Sequence, residues 1–287
     1  MEAAFAELPL ALFTTLAPMG AGAFVALALA FLTTKFSDEQ VKKIDRMTII
    51  PLVVVLVGFV ASFFHLASPM HAPFVFAGIG SSPLSNEILV GSIFVVLALV
   101  YVIVALTGKL NGGARKGFVS VVALAAVVFA CFTGMAYLMD TIASWNSPLT
   151  IVQLLGFALV GGMPLGTLVL GLAGSLTDAL KGSYKMAALV VVVVGALLAI
   201  VGFCVQVMGV GSLENALVSG ADLVADVTIY LAVAVACFVL AAAGTVAALM
   251  GKSPVGMAGF GAVMAVIGIF VARLVFYAVQ LSVGLSF

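Results

Sequence analysis

Residues 42–70 read KKIDRMTIIPLVVVLVGFVASFFHLASPM. The charges of Lys42, Lys43, Asp45 and Arg46 give way at Met47 to a run that holds no Lys, Arg, Asp or Glu through Ser68. At 1.5 Å per residue a helix over 47–68 is about 33 Å long, enough to cross a hydrocarbon layer of about 30 Å. A spanning strand would instead show short alternating segments of about ten residues, and this run is continuously apolar. The stretch therefore predicts a transmembrane helix with a basic border at its start.

Seven further runs of the same kind lie on either side. Together they predict helices at about 9–33, 47–68, 86–107, 118–140, 150–174, 187–209, 228–250 and 258–280. Composition agrees: 65% of the 287 residues are hydrophobic and 8% are charged, against roughly 45–50% and 25% in ordinary globular domains. The expected fold is all-α, a polytopic membrane protein of eight transmembrane helices forming one integral membrane domain over 1–287. Such a composition excludes a water-soluble globule, a disordered chain and a disulfide-stapled secreted module. Eleven basic and eleven acidic residues cancel, which leaves no electrostatic footprint for a nucleic-acid partner.

Charge placement predicts orientation. Lys35, Lys42, Lys43, Arg46, Lys109, Arg115, Lys116, Lys181, Lys185 and Lys252 all fall in connections at one end of the helices, and Arg273 lies inside the last helix. By the positive-inside rule the lysine-bearing end is cytoplasmic and both termini are outside. Glu2, Glu7, Glu87, Asp140, Glu214, Asp222 and Asp226 fall toward the outer end, whereas Asp38, Glu39, Asp45 and Asp178 share the cytoplasmic connections. The segment Met1–Glu7 has no basic residue, so it lacks the n-region of a cleaved signal peptide, and the first helix is expected in the mature protein. Four crossings return the chain to its starting side, which allows two four-helix bundles of like orientation. No sequence repeat is evident to support them.

Ionisable groups inside a membrane cost at least about 2.5–3.5 kcal/mol on insertion scales, so the few present are candidate functional residues. His65 lies near the outer end of the second helix, four residues before Pro69, and Glu87 opens the third helix after the same outer loop. Arg273 falls in the same outer layer with Tyr277 one turn further on the same face, and Asp140 closes the fourth helix there. The inner two-thirds read as nearly inert. Each residue also has a structural reading. Glu87 after Ser85-Asn86 is a first-turn acid favoured by the helix dipole, His65 is a core histidine bonded to a carbonyl, and Arg273 is a counter-ion to Glu87 or Asp140. Trp145 reads as an interfacial belt residue. The pattern Gly161-Gly162-Met163-Pro164-Leu165-Gly166 reads as an interruption midway along the fifth helix. Cys131, Cys204 and Cys237 sit in apolar runs with no metal-ligand spacing, so no metal site is expected.

A histidine with a carboxylate at that depth suits quinol oxidation. An imidazole, with an unperturbed pKa of about 6.5, can accept a hydroxyl proton, and a carboxylate at the water boundary can carry it away. The segments around these residues bear a family likeness. Ser62-Phe63-Phe64-His65-Leu66-Ala67-Ser68-Pro69-Met70, Leu84-Ser85-Asn86-Glu87-Ile88, Gly91-Ser92-Ile93-Phe94 and Arg273-Leu274-Val275-Phe276-Tyr277 resemble the dimethyl sulfoxide reductase membrane-anchor subunit family. So do Leu8-Pro9-Leu10-Ala11-Leu12-Phe13-Thr14 and Ile142-Ala143-Ser144-Trp145, so the likeness covers most of the sequence.

The resemblance implies an eight-helix anchor without bound cofactor in a bacterial cytoplasmic membrane, active in anaerobic respiration. Its substrate would be menaquinol, and its electrons would pass to an iron–sulfur subunit feeding a molybdopterin catalytic subunit. His65 and Glu87 map onto the family's quinol-site residues, with Ser68, Pro69, Asn86, Arg273, Tyr277 and Asp140 around the quinol. The alternatives weighed are a secondary transporter, motivated by the Gly161–Gly166 stretch, and a passive anchor without quinol chemistry.

Overall fold

The structure is a computed structural model that describes the backbone of residues 2–64 and 69–283 and the side chains of residues 4–64 and 74–283. The long helices are α1 (Leu8–Thr33), α2 (Ile49–Phe63), α3 (Pro83–Leu106), α4 (Gly112–Met135), α5 (Leu149–Leu172), α6 (Tyr184–Val210), α7 (Gly220–Leu249) and α8 (Pro254–Ala278). Eight segments are long and apolar enough to cross a membrane, the second combining α2 with the short helix Asp38–Met47. The protein is a multi-pass membrane protein.

Local chemistry sets the ends of these helices. Ser37 forms a reciprocal capping box with Gln40, and the Ser82 and Asn111 side chains accept from the backbone N–H groups of Ser85 and Ala114. Because Asn111 caps α4, that helix starts at Gly112 rather than 118 and ends at Met135, which leaves Asp140 in the connection instead of at the helix terminus. α7 starts at Gly220 rather than 228, and Asp222 and Asp226 occupy its first turns, where the helix dipole favours carboxylates. At the opposite ends, Gly174 and Gly251 adopt positive φ (67° and 80°). There Ser175 N–H bonds Leu170 O and Lys252 N–H bonds Ala247 O, the Schellman arrangement that only a residue tolerant of left-handed backbone closes cheaply. The expected interruption of the fifth helix is absent: α5 runs unbroken through Pro164, as α1 does through Pro18. Both prolines are buried, where neighbouring helices stabilise a helix lacking one backbone bond.

α1 and α5 cross at the centre, with 78% of each apolar window buried, against 22% for α7. α2 and α4 pack on α1, with α3 on α4; α6 and α8 pack on α5, with α7 on α8. The two four-helix sets thus share one seam. It is made of small residues because lipid offers no hydrophobic drive for helix association, so backbone proximity and van der Waals contact must supply it. A Cβ on Gly22 would strike the Ala158 carbonyl, and one on Gly162 would strike the Gly22 backbone.

Residues 140 apart meet repeatedly across the seam. Gly22 faces Gly162, and the Tyr137 and Tyr277 hydroxyls lie 2.5 Å apart. Gly20 of α1 meets Val55 of α2, and 140 residues further on Val160 of α5 meets Gly195 of α6, the small partner having changed helix. The halves are therefore two copies of one packing scheme related by an axis along the helices, a repeat that glycine–valine exchanges conceal in the sequence.

At the lysine-rich end, Gln40 donates to Asp178 at 2.6 Å and Lys181 bonds the same carboxyl at 2.8 Å, which ties the first half to the second. Lys181 and then Gln40 hold the Asp178 carboxyl below its ordinary range, so this tie is present above that range and weakens as pH falls through it.

Gly162→Val should destabilise the bundle by about 3 kcal/mol or more, at the upper end of overpacking costs, while Gly117→Ala, whose added carbon meets nothing within 4 Å, should change stability little. Thermal unfolding in detergent distinguishes the two; equal midpoints would contradict the seam described here.

Candidate functional site

Among the described residues two clusters built around buried charges stand out, one at each end of the helices. At the acidic end, α3 begins at Pro83 and brings Glu87 inward about 6 Å along its axis. Glu87 is 5% exposed, and its Oε1 has no hydrogen-bond partner. Thr133 of α4 lies alongside it, and the charge that acts on it is that of Arg273. Below it Gly91 has no side chain, so the Phe129 and Phe59 rings close against the backbone, and Phe129 stacks on Phe94 at 5.5 Å. This aromatic wall separates Glu87 from the lower half of the helices.

Arg273 of α8 is fully buried. Its Nε donates to the Thr14 hydroxyl of α1 at 2.8 Å and its Nη2 to the Tyr277 hydroxyl at 2.9 Å. The guanidinium lies 4.0 Å from the Phe276 ring centre, 4.7 Å from Tyr137 and 4.9 Å from Tyr277. Trp145 stacks on Phe276 at 5.3 Å and donates from Nε1 to the Phe276 carbonyl at 3.1 Å. Trp145 is thus a buried wall of the cluster and not a membrane-belt residue, because its N–H finds a carbonyl inside the protein. Nη1 of Arg273 has no partner. Among the described residues no carboxylate comes within ion-pair distance of Arg273, which corrects the expected pairing with Glu87 or Asp140. Aromatic faces and hydroxyls hold the cation instead.

The remaining candidates divide. Tyr277 stands where the one-turn spacing puts it. Asp140 is exposed and accepts from Asn146 at 2.9 Å, away from the cluster. Asn86 is half-buried, and its side-chain oxygen accepts from the Gly80 backbone N–H at 2.7 Å, which fastens the turn leading into α3. His65 and Ser68 lie outside the described residues. Pro69 opens the 3-10 segment Pro69–Gly78, its side chain likewise outside the description. Thr14, Thr133 and Tyr137 join the cluster although nothing in their local sequence singles them out. The signal for Tyr137 is its distance of 140 residues from Tyr277.

A groove of about 280 Å³ lies between α3 and α4, lined by Val90, Ile93, Val121, Leu124, Ala125 and Val128. Val90 is one turn below Glu87, and Ile93, Val121 and Leu124 are exposed on the outer surface of the bundle.

The second cluster corrects the expectation of an inert lower region. Asp45 of the helix Asp38–Met47 and Arg115 in the first turn of α4 form an ion pair and are 2% and 4% exposed. Arg115 also donates to Leu110 O at 3.4 Å and lies 5.6 Å from the Phe31 ring centre, with Tyr101 alongside the pair. By sequence both charges belong to solvated connections. The capped helix Asp38–Met47 folds back and buries them, so this pair pins a connection to the bundle. Among the described residues no group of three His, Cys, Asp or Glu is gathered to hold a metal ion. Cys131 and Cys204 are half-buried, Cys237 is buried, and all three are free.

A family model described as DMSO reductase anchor subunit matches residues 1–279. Over 175 residues the sequence is 34% identical to a subunit of the anaerobic dimethyl sulfoxide reductase of Escherichia coli strain K12, with 61% of each protein covered. Over 165 residues it is 32% identical to the like-named subunit of Haemophilus influenzae, with 58% of this protein and 59% of the relative covered. The match thus spans about three fifths of those two relatives. Along 286 residues it is 28% identical to YnfH, another anaerobic dimethyl sulfoxide reductase subunit of E. coli K12, with 98% of this protein and 97% of the relative covered.

Arg115→Met alone should cost about 3–5 kcal/mol by leaving the Asp45 carboxylate buried without its partner, and Asp45→Leu in the same protein should restore most of the loss. Denaturation of the single and double variants in detergent measures this. Additive losses would mean that the two charges do not act as a pair.

Proposed function

The chain belongs to the DMSO reductase anchor subunit family, and from that premise we propose that it oxidises menaquinol at its acidic end. In this reading that end faces outward, both termini lie outside, and the membrane is a bacterial cytoplasmic membrane. Electrons pass to an iron–sulfur subunit and from there to a molybdopterin catalytic subunit that reduces an acceptor such as dimethyl sulfoxide in anaerobic respiration.

The observation that carries this reading is a buried carboxyl group with one unpartnered oxygen, close enough to a buried cation to sense its charge, in one layer near a helix end. A quinol ring offers what both lack: a hydroxyl to donate to Glu87 and an oxygen to accept from Arg273. The apolar groove below suits an isoprenoid tail. Oxidation breaks two O–H bonds and sends two electrons to the partner's cluster. Each proton needs an acceptor at the ring and a route to water, roles assigned to His65 and Glu87, with Ser68, Pro69 and Asn86 shaping the loop above them. The transporter alternative rested on a broken fifth helix, and α5 is unbroken.

Glu87→Gln keeps the shape and removes the proton acceptor. Quinol-dependent turnover of the assembled complex should fall about 100-fold, within the usual range for loss of general acid–base catalysis, with reduction of the acceptor by an artificial donor that bypasses the quinol unchanged. His65→Ala should act in the same direction. Full quinol turnover in both variants would overturn the assignment. Protons and electrons that leave on the same side move no net charge across the membrane, so vesicles turning over quinol should show no proton uptake from the lysine-rich side.

A further inference from the structure

Of the three guanidinium nitrogens of Arg273, two have a hydrogen-bond partner and one has none. Nε is taken by Thr14 and Nη2 by Tyr277, while Nη1 is buried without a partner. Tyr277 is itself held: its hydroxyl lies 2.5 Å from that of Tyr137, which comes from the connection after α4. Tyr137 is fixed in turn by edge-to-face contacts with Trp145 at 5.5 Å and Phe276 at 5.0 Å. Its ring also forms part of the cage around the guanidinium. An unbroken series of contacts therefore runs from Tyr137 through Tyr277 to Arg273.

We infer that Tyr137 is a positioning residue for quinol deprotonation: through Tyr277 it holds the Arg273 guanidinium with Nη1 presented to the quinol oxygen, where the cation stabilises the quinol anion. This rests on the quinol reading above. The step it serves is one O–H cleavage, with the proton going to the neighbouring base and the electron pair of the bond staying on the ring oxygen. A cation set in a buried, water-poor site favours that anion far more than one in water would, and without reorganisation during the reaction. A carboxylate paired with Arg273 would cancel the effect. Among the described residues none is paired, since Glu87 acts on it only through space. Among the described residues the groups set against the cation are Thr14 from α1, Tyr137 from the connection after α4, and Phe276 and Tyr277 from its own helix, so hydroxyls and rings make the direct contacts while the Glu87 carboxyl of α3 stands off. Tyr137 and Tyr277 also stand at equivalent positions of the two halves. The repeat axis thus passes through this contact, and one half supplies Glu87 while the other supplies Arg273.

The test uses membranes containing the whole complex, a short-tailed menaquinol analogue and a pH series, with Tyr137→Phe as the variant. The substitution removes one hydroxyl and keeps the ring. The expected result is a fall in kcat of about tenfold, as one hydrogen bond to the charged group's holder is lost, with KM within about twofold. The acid limb of the profile should also move up by about one pH unit, since a tenfold less stabilised quinol anion forms only at higher pH. Tyr277→Phe should give the same displacement, and it serves as the reading if Tyr137→Phe fails to assemble. An acid limb left in place, whether turnover falls or not, overturns the inference. Glu87→Gln is run beside them. If it too retains full turnover, the quinol reading itself has failed, whereas loss in Glu87→Gln with an unmoved limb in the tyrosine variants defeats only the role of Tyr137.

Discussion

A positive charge enclosed by protein without a carboxylate against it is costly, and the acidic end of this molecule is organised around making it tolerable at Arg273. Two hydroxyls accept from the guanidinium, three aromatic rings lie against it, and Trp145 closes the outside by stacking on one of those rings. These contacts come from separate parts of the sequence: α1, the connection after α4, and α8. Removing the cation would leave those groups facing each other with nothing to bind. Neutralising it with a nearby acid would satisfy the charge and, under the proposed quinol chemistry, remove the cation's role. Proteins accept such unpaired polar atoms where they act on a ligand.

The doubled architecture explains how such a site arises in a bundle of plain apolar helices. Two sets of four helices meet along a seam of small residues, and the residues nearest the axis approach their own equivalents. At that axis a difference of one residue between the halves creates a new neighbour for both. Thr133 of α4 and Arg273 of α8 are equivalent in position, 140 residues apart; the hydroxyl stands beside Glu87, and the cation reaches across toward Thr14. The site is thus asymmetric in chemistry and symmetric in frame. The opposite end holds its charges differently, with Asp45 and Arg115 paired and directed at each other, which suits a structural fastening.

Much of this is legible in the amino-acid order. Eight crossings follow from apolar run length, and the layer containing Glu87, Arg273 and Tyr277 follows from counting residues along helices that must span a fixed thickness. Membership of the family follows from short segments around those same residues. What escapes such a reading is set by contacts between helices. Tyr137 and Thr14 look like ordinary residues at the ends of apolar runs until α8 is laid against them. Asp45 and Arg115 sit among loop lysines, and nothing local tells that the amphipathic helix Asp38–Met47 folds inward. Trp145 passes for a belt residue because its partner, the Phe276 carbonyl, is remote in sequence. Pro164 suggests a break because the neighbours that stabilise a proline in a helix are invisible in one dimension.

If the quinol ring sits between Glu87 and Arg273, an azido-quinone photoactivated in native membranes will label peptides from the acidic end, around Glu87, Thr133 and Tyr137, and the label will be lost when unlabelled menaquinone competes. Label concentrated on peptides around Tyr101, Asp45 and Arg115 would contradict this placement, because that result would put the redox chemistry at the lysine-rich end, behind the aromatic wall of Phe94 and Phe129.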